Sequence, residues 1–283
     1  MSKILVAIDF SESSINAFLH ALSIAQHCSL DLCLMWVEKS SSEKDKFEKQ
    51  NGETVSEAQR HFEELITKYK PELPGNTITY KIRSGKIYKE MAREAKESNA
   101  IMIVAGTHGS SGFEEFWIGS NANKIVSVAP CPVITIRAGI DIIRPLKTIV
   151  IPIDSTVETR QKASFTGWLA KQHDATVHVV SIYSSNLAAI RRDVNVYAGQ
   201  VEMYFKKEGI KYQQATVECG NLSDAIIEYA IKAEANLISI MTSQESTTFN
   251  LWMGSYAHQM VNHSPIPVLS IHPKETYAAG ATF

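Results

Sequence analysis

The chain has 283 residues, of which 45% are hydrophobic and 20% are charged, and its formal net charge is −2. This length suffices for one large domain or for two domains of about 140 residues each. The small net charge gives no electrostatic reason to expect nucleic acid or an acidic membrane as the main partner. No apolar stretch approaches the roughly 20 residues that cross a bilayer, and the first residues do not resemble a signal peptide. A cytoplasmic globular protein is therefore expected.

Strands and helices are predicted to alternate along the first half of the chain. The predicted strands are Ile4–Ile8, Leu30–Val37, Ile78–Ile82, Ala100–Ala105 and Val133–Ile136. Several are continuous apolar runs, which is typical of parallel strands that are covered on both faces. Apolar residues at helical spacing predict four helices between the strands. These helices are Ser13–Gln26, Glu53–Tyr69, Tyr88–Lys96 and Asn121–Val128. The Ser-, Glu- and Lys-rich segment Glu38–Gly52 is expected to form a mobile solvated loop.

The second half of the chain repeats the first half. The opening segment Lys3–Asp9 is echoed by Thr148–Asp154, at an offset of 145 residues. Later the offset becomes 135, so that Trp117–Ser120 corresponds to Trp252–Ser255. About nine such landmarks recur in the same order, which chance does not readily produce. The chain is therefore predicted to contain two copies of one unit.

This repeat predicts both the domain organisation and the fold class. The expected ranges are 1–138 and 146–273 for the two domains and 274–283 for a C-terminal tail. Helices that alternate with buried strands predict a doubly wound α/β sheet in each domain. Ligands of such sheets bind beyond the carboxyl ends of the strands, where the strand order reverses. Asp9, after the first strand, and Gly106, after the fourth, are both expected at that edge.

The most informative motif follows the fourth predicted strand. Gly106 and Gly109 are followed by Gly119 and Ser120, with the spacing G-x2-G-x9-G-S. Glycine permits positive φ and lets a ligand approach the backbone closely. A serine N-cap leaves the first-turn N–H groups and the positive end of the helix dipole facing outward. The motif therefore predicts a site for a phosphate chain; the alternative is that the glycines only form a tight connection.

Other sites of known chemistry are not indicated by the sequence. The P-loop motif G-x-x-x-x-G-K-(S/T) is missing, and no G-x-G-x-x-G follows the first strand, which argues against NAD or FAD. His258 and His263 are five residues apart and do not share a helix face, so no metal site is expected. The cysteines lack the paired spacing of a zinc site and are expected to be reduced thiols. They are Cys28, Cys33, Cys131 and Cys219.

These features together resemble a tandem universal stress protein, with two copies that cover nearly the whole chain. The four motif residues fill the pattern of the ATP-binding subset, and the opening strand that ends in Asp9 also fits. The resemblance implies two Rossmann-like modules of the adenine nucleotide alpha hydrolase-like class. Each would be a five-stranded parallel sheet of order 3-2-1-4-5. One departure is Ile101, a packing position where the family usually has an aspartate.

The resemblance also implies that the modules pair through their last strands. Val133–Ile136 and Val268–Ile271 would be exposed edges in isolated modules, and such edges need covering. An intrachain pseudo-dimer is therefore expected. Further association into a homodimer and the identity of a protein partner are left open.

The resemblance assigns roles to individual residues around ATP. Ala7 and Asp9 would flank the adenine and the ribose, and Val37 would contact the base. Gly106 and His108 would lie beside the ribose. The phosphates, through which Mg²⁺ is held, would be bound by Gly109, Gly119, Ser120 and Asn121.

Several of these residues also have simpler explanations. Asp9 can assist the nucleotide or Mg²⁺, or it can cap the following helix beside Ser11. The ligand role is favoured for Asp9 and the capping role, beside Ser155, for Asp154. His108 has no paired carboxylate or nucleophile, so contact with the ribose is favoured over acid–base chemistry. The tryptophans before each Gly-Ser recur in both copies and are expected to pack rather than to stack on a ligand. They are Trp117 and Trp252.

The second copy has a damaged form of the motif. Met241 and Gln244 stand where the first copy has glycines, and Glu245 adds a negative charge nearby. A methionine where positive φ or close approach is needed should close the pocket. The retained Ser255 is expected to act as a helix cap. The second copy is therefore predicted not to bind ATP in the same manner.

Three functions are compatible with this pattern. The favoured one is a stress-response regulatory protein that binds ATP through its N-terminal domain. A second is a scaffold of the same fold that binds other proteins and no nucleotide. The third, an enzyme that acts on an adenylated ligand, rests on fold analogy alone. No strong base, nucleophile or metal cage is evident, so any ATP hydrolysis is expected to be slow.

Overall fold

The computed structural model contains two compact units, Met1–Ile143 and Arg144–Phe283. Each unit is described by itself below. At Ser120 only the backbone is described. The structure describes residues 2–38, 54–107, 120–137, 145–242 and 254–273.

The first unit is a parallel five-stranded sheet with helices between its strands. Its strands are β1 (Lys3–Ala7), β2 (Asp31–Glu38), β3 (Ile78–Ser84), β4 (Met102–Gly106) and β5 (Val133–Ile136). Its helices are α1 (Glu12–Cys28), α2 (Val55–Tyr69), α3 (Ile87–Glu97) and α4 (Ser120–Val128). The strands lie in the order β3-β2-β1-β4-β5.

The second unit has the same organisation. Its strands are β6 (Thr148–Ile153), β7 (Thr176–Tyr183), β8 (Tyr212–Glu218), β9 (Leu237–Met241) and β10 (Val268–Ile271). Its helices are α5 (Lys162–His173), α6 (Ala188–Glu208), α7 (Leu222–Lys232) and α8 (Ser255–His263). Parallel pairing gives the order β8-β7-β6-β9-β10, so the predicted α/β fold class is confirmed in both units.

The central strands are buried on both faces, as their apolar runs predict. Ile4, Leu5 and Val6 of β1 are fully buried, as are Ile103 and Val104 of β4. Because β1 lies between β2 and β4, the strand order reverses between β1 and β4, and a crevice is expected at their carboxyl ends. No helix in the described part of the chain is long and apolar enough to span a membrane.

Five helices of the described residues end in the same way, and this ending shifts a predicted strand start. After α3, Asn99 takes a left-handed φ of 47° and the N–H of Ala100 bonds to the carbonyl of Ala95. This is a Schellman-type ending, which keeps Ala100 out of β4. The predicted strand Ala100–Ala105 therefore begins two residues too early. The same ending follows α1, α5, α6 and α7, at Ser29, Asp174, Gly209 and Glu234.

Candidate functional site

The turn after β1 is held by the side chains of three residues. The Asp9 carboxylate oxygen Oδ1 accepts hydrogen bonds from the backbone N–H of Ser11 at 3.1 Å and from its hydroxyl at 2.5 Å. Ser11 is the N-cap of α1, because its Oγ accepts from the N–H of Ser14 at 3.3 Å. The Ser14 hydroxyl in turn accepts from the N–H of Asp9 at 3.2 Å. Asp9 therefore orients the residue that caps the helix, and Ser11 is the cap.

Gly106, at the end of β4, is a point of close packing. A Cβ atom there would lie 2.4 Å from Oγ of Ser13 and 2.8 Å from its carbonyl oxygen. Backbone cannot yield at that distance, so β4 approaches the first turn of α1 only because residue 106 has no side chain. The φ of Gly106 is not positive, so of the two reasons that the sequence offered for a glycine here, positive φ does not apply. Close approach is required, and the partner in this structure is α1.

Three of the residues predicted to contact the nucleotide lie together at the carboxyl edge of the sheet. Ala7 and Asp9 are partly exposed at the end of β1, and Gly106 ends the adjacent strand β4. Val37 lies on the other neighbour, β2, two residues beyond the partner of Ala7, and is 7% exposed. Sheet topology thus brings these positions to the edge where the strand order reverses.

The remaining predicted residues lie in or near the connection to α4. Asn121 is exposed in the first turn of α4, which begins at Ser120. The predictions that involve His108, Gly109, Gly119 and Trp117 lie outside the described residues, as does the segment 39–53. In the second copy, Gln244, Glu245 and Trp252 also lie outside them.

The second unit repeats the acidic turn with different helix geometry. The Asp154 oxygen Oδ1 accepts from the N–H of Thr156 at 2.8 Å and from its hydroxyl at 2.5 Å. The N–H of Asp154 donates to Oγ1 of Thr159 at 3.2 Å. The partner of Asp154 is therefore Thr156, whereas the sequence analysis placed Ser155 beside it. Here the next residues, Val157–Arg160, form a 3₁₀ turn, and α5 begins only at Lys162.

This change in the helix start accompanies the replacement of glycine by methionine. Met241 occupies the position of Gly106 and is 7% exposed. In the first unit a side chain at this position would meet Ser13 in the first α-helical turn. In the second unit that turn is wound as 3₁₀ helix, so the backbone that blocks a side chain in the first unit is differently arranged. The replacement of glycine by methionine and the change from an α-helical to a 3₁₀ first turn therefore affect the same contact between strand and helix.

Lys162 is a buried cation beside the acidic turn. It is 2% exposed and corresponds to Ala17 of the first unit. Its Nζ donates to the carbonyl oxygen of Thr159 at 2.8 Å and to Oγ1 of Thr159 at 2.9 Å. Burial lowers the pKa of Lys162 to about 8, against the opposing effect of the negative charge of Asp154. Sequence reasoning missed this residue, although the repeat aligns a lysine with a buried alanine.

Tyr256 is the second group that sequence reasoning missed. It corresponds to the exposed Asn121, and its hydroxyl oxygen is buried with no hydrogen-bond partner among the described residues. Burial, with smaller contributions from the charges of Asp154 and Cys219, raises the pKa of Tyr256 well above its usual value. The hydroxyl thus lies in the electrostatic field of the acidic turn. The Tyr256 hydroxyl and the Lys162 side chain are thus two buried polar groups, and the corresponding residues of the first unit are an exposed asparagine and a buried alanine.

A shallow cleft remains in the second unit between the starts of α7 and α8. Its volume is about 350 Å³, and several of its polar lining groups already bond to neighbouring residues. Asn221 caps α7, and the Ser223 hydroxyl donates to Gln259 Oε1 at 2.8 Å. Ser255 is the first residue of α8, whereas the N-cap is Gly254, without a side-chain hydrogen bond. The prediction that Ser255 caps this helix is therefore wrong. A cap at Ser255 would need a helix that begins at Tyr256, but α8 begins at Ser255 itself.

The cysteines are free thiols, two of which are strongly shielded. Burial raises the pKa values of Cys28 and Cys131 to about 12, which disfavours the reactive thiolate form. Within the described ranges, no group of three or more His, Cys, Asp or Glu side chains is placed to hold a metal ion.

The fold and the site define a class of protein: two doubly wound α/β modules, each with an acidic turn after its first strand and an expected ligand edge at the strand reversal. The profile of the universal stress protein family matches residues 1–137 and 145–272. The chain belongs to the universal stress protein family, with two family domains in tandem.

Relatives and solved structures agree with this assignment. A Methanocaldococcus jannaschii universal stress protein is 28% identical over 138 residues, covering 48% of this chain and 81% of the relative. A Staphylococcus aureus protein named for the same family is 30% identical over 139 residues, covering 47% and 82%. A crystal structure of an Archaeoglobus fulgidus universal stress protein matches with a TM-score of 0.73 and 17% identity, covering 95% and 98%. At that identity the structural likeness establishes the fold.

Proposed function

We propose that the first module binds ATP at the carboxyl edge between β1 and β4, and that the protein acts as a cytoplasmic regulator in a stress response. The observation that carries this proposal is the contrast between the two edges. In the first module, the glycine motif follows β4 and the edge residues Ala7 and Asp9 are partly exposed. In the second, Met241 replaces the first glycine and Lys162 is buried beside the acidic turn.

The nucleotide would lie across the strand reversal of the first module. Ala7, Asp9 and Val37 would contact the adenosine part, and Gly106 and His108 would lie beside the ribose. The phosphates would be bound by Gly109, Gly119, Ser120 and Asn121. The N–H groups in the first turn of α4, which begins at Ser120, suit an anion because they and the helix dipole are positive there. Mg²⁺ would be held through the phosphates.

The second module is, in the same proposal, a partner that does not bind ATP. Its buried ammonium group donates to Thr159 beside the acidic turn, and its methionine occupies the position of Gly106. Pairing of the modules through β5 and β10 would cover the last strand of each sheet and form an intrachain pseudo-dimer. Through that contact the second module would stabilise the first and respond to its occupancy.

Titration calorimetry with ATP and Mg²⁺ tests the proposal. One ATP per chain is expected, and Gly109→Gln, which imitates the second module, should abolish binding while the circular dichroism spectrum stays unchanged. Gln244→Gly is the matched control and should leave the stoichiometry at one. Absence of both heat and a thermal shift at millimolar ATP would remove the proposal. Two ATP per chain would contradict the role given to the second module.

A scaffold that binds other proteins without nucleotide is the alternative. It is favoured by the second module alone, in which Met241 replaces the first glycine of the motif and Lys162 is buried beside the acidic turn. The same titration decides between the two, since a scaffold of this fold has no reason to bind ATP.

A further inference from the structure

Phe10 has an unusual backbone conformation for a bulky residue. It directly follows Asp9, and its φ is 61°, in the left-handed region. Bulky side chains are outliers there, and such strain persists only where the surroundings impose it. The second module has Ser155 at this position, whose φ is not positive. The acidic turn itself therefore does not require the left-handed conformation.

The strain is maintained by aromatic contacts with α2. The Phe10 ring lies 4.9 Å from the ring of Phe62, at an interplanar angle of 60°, and 5.1 Å from the ring of His61, at 66°. Phe62 is fully buried and stacks on Tyr80 at 4.8 Å and 13°. The Phe10 ring is thus held by α2, yet Phe10 remains partly exposed.

The held ring belongs to the edge proposed for the adenosine part of ATP. Ala7 at the end of β1 pairs with Met35, so Asp9, two residues further on, is level with Val37 on β2, and Phe10 is the next residue. Aromatic side chains stack on nucleobases because every base has a π-face. We propose that Phe10 contacts the base of the bound nucleotide and makes the first module select a nucleoside triphosphate over a bare phosphate chain.

This role rests on the proposed function and adds a specificity residue to it. A ring that served packing alone could be supplied from an unstrained position, because α2 and β3 already form an aromatic stack without it. The module in which Lys162 is buried beside the acidic turn has no ring here, whereas the module with the intact glycine motif has one. The strained ring is therefore found in the module whose carboxyl edge is proposed to bind ATP, and the other module lacks it.

Competition between ATP and inorganic tripolyphosphate, which lacks a base, tests the role of Phe10. Phe10→Leu should weaken ATP binding about tenfold, which corresponds to the lower part of the range for one base stack. Its affinity for tripolyphosphate should stay unchanged. Phe10→Asn, whose side chain tolerates left-handed φ, should give the same result if the leucine variant folds poorly. Tyr80→Leu is the matched control: it removes a ring from the same stack and should leave the ratio of the two affinities unchanged.

The outcomes separate this inference from the proposed function. If the wild-type protein binds neither ligand, the proposed function fails and the role of Phe10 fails with it. If the wild-type protein binds ATP and the Phe10 variants keep the wild-type ratio of affinities, the role of Phe10 alone is overturned. Equal wild-type affinity for ATP and tripolyphosphate would also overturn it, because the base would then contribute nothing.

Discussion

The two modules share a fold and an acidic turn, but they use the carboxyl edge of the sheet differently. In the first, Gly106 lets β4 lie against the start of α1, and Ala17 leaves the neighbouring space apolar. In the second, Met241 fills the glycine position, and Lys162 places an ammonium group under the turn. On the proposed function, a few side chains close the ligand edge of the second module while its sheet order stays intact.

The largest expected effect comes from making the first module imitate the second at the glycine. Gly106→Met should destabilise the first module by about 3 kcal/mol, because the new side chain would overlap Ser13 in α1. Chemical denaturation checks this value, and ATP binding should be lost as well.

The matched control for this change is Gly199→Met in α6. A Cβ at Gly199 meets no atom within 4 Å, and methionine favours helix over glycine, so stability should stay the same or rise. If Gly106→Met and Gly199→Met have the same effect, the contact with Ser13 does not explain the glycine.

The buried cation should give the second module a distinctive pH dependence. The folded pKa of Lys162, about 8, lies below its ordinary value of 10.5, so the unfolded chain binds more protons between these values. Stability should therefore rise with pH across that window, by up to about 3 kcal/mol for this residue. Lys162→Met should be more stable at pH 7 than the wild type and should lack this rise.

The measurement is urea denaturation at pH 7, 8, 9 and 10, compared between the wild type and Lys162→Met. Taking the difference between the two proteins removes the titration of groups that both contain. A difference that does not change with pH would show that Lys162 is not the source of the dependence.

The smallest expected effect is a difference in stability loss when the hydroxyl of each acidic turn is removed. Ser11→Ala should cost about 1 kcal/mol, because the Ser11 hydroxyl caps α1 by accepting from Ser14 N. Thr156→Ala should cost less, since the Thr156 side chain makes no such cap to the 3₁₀ turn that follows it. Equal losses in thermal denaturation would contradict the difference in helix start.

Much of the fold could be predicted because it is encoded in local patterns. Continuous apolar runs predicted the buried parallel strands, and apolar residues at helical spacing predicted the helices between them. The ends of elements were less predictable, as at Ala100, where a left-handed Asn99 joins the residue to the preceding helix. The domain boundaries and all of the nucleotide contacts, those of the described residues included, stay predictions.

The position of the candidate site could be predicted from the sequence, but the packing reasons for its residues could not. Asp9 and Gly106 were expected at one edge, because parallel strands present their carboxyl ends together. The reason for the glycine was not evident, since Ser13 is distant from it in sequence and reaches it only through packing of α1 on β4. Lys162 was not singled out, because the burial of a residue cannot be deduced from a single position.

The amino-acid sequence by itself determined the duplication, the alternation of strands and helices, and the loss of the glycines in the second copy. Tertiary structure alone decided that Gly106 is required by a neighbouring helix, that Lys162 is buried beside Asp154 and that Phe10 is held in a strained conformation by α2. The physical reason is that periodicity is set by neighbours along the chain, whereas packing, burial and strain are set by residues that only the fold brings together.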